Sequence, residues 1–115
     1  MGLDLFWYAV PAEIVGKRQV DIDFAGDSAE LLTAARAEWD LHDWMHQLYL
    51  EKGGDSRKFF NTPASVRLTR ADLSRLANDA ALGLVDMGWV DAERLLAICE
   101  AAFARGLAVI YRGWW

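Results

Sequence analysis

The hydrophobic pattern along the chain changes period several times, and each change predicts an element. Leu3, Leu5, Trp7 and Ala9 alternate with Phe6, Tyr8 and Val10, so residues 3–10 read as a strand apolar on both sides, ending at Pro11. Such a strand belongs inside a sheet that is covered on both faces. From Pro11 to Gly26 the signals mix, although Val20, Ile22 and Phe24 alternate with Asp21 and Asp23 as in a short half-buried or edge strand. A long helix is predicted next. Asp27 and Glu30 have capping-box spacing, and Gly53-Gly54 supply an exit after Lys52. Val66-Arg67-Leu68 predicts a short strand. A second helix, capped by Thr69 with Asp72 reciprocal, runs to about Leu82, and a third runs from Asp91 to Arg105. Residues 107–115 read as a last strand.

This order predicts one α+β domain over residues 1–115, without repeats or linkers. About three helices pack on one face of a small mixed or antiparallel sheet. The sheet contains both terminal strands, which are the most hydrophobic and therefore neighbours near its centre.

Within the long helix, positions advance by about 100° per residue. Thr33, Arg36, Asp40, Asp43, Gln47 and Glu51 then fall on a polar stripe, opposite Leu31, Ala34, Ala35, Met45 and Tyr49. Glu38 and His42 land on the inward face, with His46 at its shoulder. The trio is spaced four apart, so neighbouring members can meet. A Glu–His pair would fix the imidazole tautomer, as in working histidines. Three roles are open for Glu38, His42 and His46: packing residues that are simply hydrogen-bonded, a partner or ligand groove, or catalysis and metal binding.

His42-Asp43-Trp44-Met45-His46 matches the zinc-protease helix pattern with Asp in place of Glu. His42 and His46 could share a divalent metal, with Glu38 as the remaining ligand. Against this, Asp43 lies on the polar stripe, the chain has no third His, and a ligand on the same helix closes a tetrahedron poorly. No cofactor is otherwise predicted.

Composition narrows the classes. A net charge of −5 argues against general nucleic-acid binding, which depends on clustered basic residues. Arg57 and Lys58 beside Phe59 and Phe60, followed by Arg67 and Arg70, form the one basic-aromatic string. No apolar run is long enough to span a bilayer. Cys99 is the single cysteine and sits in an apolar run, so it reads as a buried reduced thiol, and a cytoplasmic location is expected. Trp114 and Trp115, with Arg112 beside them, either finish a strand in the core or meet a partner.

Met1-Gly2-Leu3-Asp4-Leu5 together with Leu41-His42-Asp43-Trp44 resembles a family of small uncharacterised proteins of phages, prophages and bacteria. These begin Met-Gly-Leu-Asp-Met and carry an Arg and then Ile-His-x-Trp on their first long helix. Arg36, His42 and Trp44 match that spacing, Val66–Leu73 is similar to the family's strand-then-helix entry, and a final segment rich in Tyr and Trp is shared. The chain departs from the family at Trp39, often Asn there, and at Met45, often aromatic there. The resemblance implies an accessory or mobile-element role and no particular activity.

The resulting expectation is a small accessory or regulatory protein that binds a macromolecular partner, with Arg36, Trp44 and Trp114 as binding candidates. The alternative is an enzyme or metal-dependent binder using Glu38, His42 and His46. Self-association through the last strand is a third possibility.

Overall fold

The computed structural model describes residues 2–24, 26–57 and 64–114. In chain order the elements are β1 (Asp4–Pro11), α1 (Ala12–Val15), a 3₁₀ turn at Gly26–Ser28, β2 (Glu30–Arg36), α2 (Trp39–Glu51), β3 (Ser65–Leu68), α3 (Arg70–Ala81), α4 (Ala92–Ala104) and β4 (Leu107–Trp114). The four strands form one antiparallel sheet in the order β2-β1-β4-β3. The first and last strands are central, paired from Asp4↔Trp114 to Pro11↔Leu107. This is the expected α+β arrangement.

Burial follows the alternation of β1. Leu3, Leu5, Trp7 and Ala9 are buried in the larger core, against Leu41, Met45 and Leu48 of α2, Leu73 and Leu76 of α3, and Leu95 and Cys99 of α4. The opposite face buries Val10, Ala108 and Ile110 under Val15 and Ile22. Both faces of the centre are therefore covered, as a strand apolar on both sides requires.

Two sequence expectations are overturned. Residues 30–36 are a strand, not the first turns of a helix; Glu30 bonds Arg105 across the fold (2.8 Å) instead of closing a capping box with Asp27, which lies in the 3₁₀ turn. Leu31 and Ala34, expected inward, are exposed. The second concerns Val20–Phe24, which is not a strand: Val20 forms one isolated bridge to Val66, and the segment packs across the sheet. Residues 58–63 and 115, which include Lys58, Phe59 and Phe60 of the basic-aromatic string and the last tryptophan, lie outside the described residues.

The other helices keep their predicted signals. Thr69 and Asp72 form the full capping box of α3, and Asp91 accepts from the Glu93 and Arg94 N–H groups to cap α4. The α3 cap is also a junction. Lys52, at the end of α2, donates to Asp72 and to the Arg67 carbonyl of β3 (2.6 Å), which ties three elements at one nearly buried ion pair.

Candidate functional site

The chain turns from β2 into α2 at Ala37, which adopts a left-handed conformation (φ 58°). Glu38 occupies the N-cap position of α2 without capping it, and its carboxylate accepts instead from the Trp89 N–H (2.7 Å). Gly88 makes this possible: its φ is +58°, and a Cβ there would overlap the Glu38 carboxylate. Glu38 therefore faces the 83–90 loop.

His42 goes the other way. It is 3% exposed, and its Nδ1 lies 2.7 Å from Tyr111 Oη of β4. Burial pushes the Tyr111 phenol above its ordinary pKa, with Asp43 adding to the effect, so the hydroxyl stays protonated and one group donates to the other. Gly113 closes the site, since a Cβ there would meet His42 Cε1 at 2.5 Å. Replacing Gly113 with Ala is expected to cost about 1–3 kcal/mol through overpacking, read as a lower urea midpoint with unchanged slope. His46 is half-buried, its ring 6.4 Å from that of Tyr49.

Within the trio, the His42 N–H donates to the Glu38 carbonyl (3.0 Å). Glu38 does not share the sealed inward face of His42, contrary to expectation, because α2 starts at Trp39, eleven residues after the Ser28 start that a cap at Asp27 implies. Among the described residues, no three His, Cys, Asp or Glu side chains converge as metal ligands. Cys99 is buried and its thiol is pushed up to about 12, chiefly by burial and then by Glu100.

The exposed features gather elsewhere. Trp89 is 97% exposed, Trp114 56% and Trp39 46%. Trp89 is tethered to Glu38, Trp39 follows Glu38 in the chain, and Trp114 pairs with Asp4, whose carboxylate holds Arg36 (2.9 Å). Trp39 and Trp89 therefore meet at the corner of residues 36–39, while Trp114 lies on the adjoining sheet face with Asp4 and Arg36. Of the other binding candidates, Arg36 and Trp114 lie here. Trp44 does not: its Nε1 donates to Asp79 and its ring lies under Arg75, which joins α2 to α3.

Beside the corner, β2 and α4 enclose a groove of about 440 Å³. The two elements run alongside each other in opposite directions: the Glu30–Arg105 bridge spans one end, and Glu38 and Asp91 line the other. Trp7, Ala35, Leu95 and Ile98 give it an apolar lining, and Arg94 adds a guanidinium. Sequence reading missed Trp39, Trp89 and Arg94. One signal was present for Trp89, which lies between Gly88 and the α4 cap, where a helix interior cannot absorb it.

Among the described residues, no helix is long and apolar enough to cross a membrane. Comparison with family models, with curated proteins and with solved structures gave no match.

Proposed function

We propose that this protein is a small cytoplasmic accessory protein that binds a protein partner through the tryptophan corner. The observation that carries the reading is the exposure of Trp39 and Trp89 at one turn, with Trp114 and Arg36 exposed on the adjoining sheet face. Large exposed aromatic groups are costly to leave in water, and Trp and Arg dominate the binding energy of protein interfaces. Leu84, 70% exposed in the loop that carries Trp89, extends the apolar surface. The resemblance of residues 1–5 and 41–44 to small phage and bacterial proteins agrees with an accessory role.

A photo-cross-linking residue at position 89, in cells that naturally make the protein, tests this. One discrete adduct is expected, and it should be lost when Trp39, whose ring also meets His42 edge-on (6.2 Å), is replaced by Ala in a protein that still unfolds cooperatively. The absence of any adduct at 89, together with an adduct from a control position on the far side of α3, would reject the corner as the interface.

A further inference from the structure

The groove beside the corner has a feature that a simple pocket lacks. Its β2 wall is made of four consecutive residues, Thr33–Arg36. Successive strand residues face opposite ways, so a hollow that touches all four reaches the backbone edge as well as the helix-side face. That edge is the outer one. β2 pairs only with β1, and among the described residues nothing pairs with its other side. The bulge opposite Trp7/Tyr8 interrupts the ladder earlier in β2 and leaves Thr33–Arg36 as its regular part.

An unpaired regular edge is a template for another strand, and natural proteins usually protect it. Here the protection is slight: between Glu30 and Arg36 the strand carries no charge. A strand added about 4.8 Å beyond β2 would direct alternate side chains into the space between β2 and α4. Apolar side chains suit Ala35, Leu95 and Ile98. Trp7 strengthens the case, because it lines the groove, is fully buried, and its Nε1–H has no acceptor among the described residues.

Charge selects the occupant. Arg36 is matched by Asp4, which leaves Arg94 facing Glu38 and Asp91 at the groove mouth, with Asp86 beside them. These carboxylates accept from backbone N–H groups, and among the described residues none forms an ion pair. The mouth is therefore net negative, and an exposed tryptophan stands over it to stack with a cation.

The geometry points to strand addition: a basic, extended peptide segment of a partner protein pairs with Thr33–Arg36, sets an apolar side chain in the β2/α4 groove, and places a Lys or Arg two residues on against Glu38, Asp91 and Trp89. This rests on the protein-binding reading and specifies how the partner is held.

The test is selection of a ribosome-displayed random heptapeptide library on the intact protein. Enriched sequences are expected to carry an apolar residue and a Lys or Arg two positions apart. The leading heptapeptide, made with capped ends, should shift the Thr33–Arg36 amide signals. N-methylation at alternate residues should weaken it at least about tenfold in one of the two alternations, because it removes ladder donors. Glu38→Gln should weaken it several-fold while leaving thermal stability intact.

Enrichment of acidic peptides, tolerance of both N-methylation patterns, or no enrichment over the starting pool would each overturn strand addition. Peptides that shift only the Trp39 and Trp89 indoles would also overturn it, while leaving the corner as a binding surface. The reading of the corner itself falls only if the position-89 cross-link fails.

Discussion

Replacing Asp72 with Ala should lower the free energy of unfolding by about 3 kcal/mol, a large part of what a domain of this size possesses. One carboxylate serves two structures at once. It accepts from the Thr69 N–H and Oγ1–H (both 2.9 Å) in the α3 cap, and it is the ion partner of Lys52. Both side chains are nearly buried, so removing the carboxylate leaves an ammonium with only the Arg67 carbonyl and Gln19 near it. The helix also loses the reciprocal half of its capping box, while Thr69 Oγ1 still accepts from the backbone N–H of residue 72.

The same carboxylate sets the acid limit. Burial alone would raise its pKa, but the Lys52 and Thr69 hydrogen bonds outweigh this and hold it below the ordinary value. A carboxyl with a lower pKa folded than unfolded contributes fully above the unfolded value, about 4, and loses that contribution as pH falls through the lower folded value. Asp72→Asn should therefore flatten the fall in stability below about pH 4. Urea titrations at several pH values will measure both effects; an unchanged acid slope in the variant would remove Asp72 from the account.

The second large effect is expected at His42. Its replacement by Ala should cost about 3 kcal/mol, combining a cavity under the sheet with a Tyr111 hydroxyl deprived of its neighbour. Tyr111→Phe should cost less, about 1 kcal/mol, since packing is kept. In a double-mutant cycle the two should be non-additive, because each single change breaks the same hydrogen bond. If both variants proved as stable as the wild type, His42 would not be the sealed packing residue described above.

How much of this was legible in the sequence depends on which physical force wrote each element. The central strands were readable because both faces of β1 and β4 are buried, leaving unbroken apolar runs. The α3 and α4 starts were readable because Thr69/Asp72 and Asp91 do their capping locally. Residues 30–36 were not. Glu-Leu-Leu-Thr-Ala-Ala-Arg is good helix composition, and pairing with β1 overrides that preference. The break itself is hidden at Ala37, since an alanine in left-handed conformation gives none of the warning that Gly would. That one break moves Glu38 from the inward face to the groove mouth, away from the buried His42. The exposure of Trp89 depends on tertiary placement and leaves no periodic trace.

Indole and imidazole NMR signals of the labelled protein, recorded before and after addition of the partner captured at position 89, would test the account most directly. Shifts of the Trp39, Trp89 and Trp114 indoles, with the His46 ring signals unmoved and His42 shifted only through its edge-on contact with Trp39, are the predicted outcome. Perturbation of His42 and His46 while the three indoles stay fixed would place the working surface on the helix interior and contradict it.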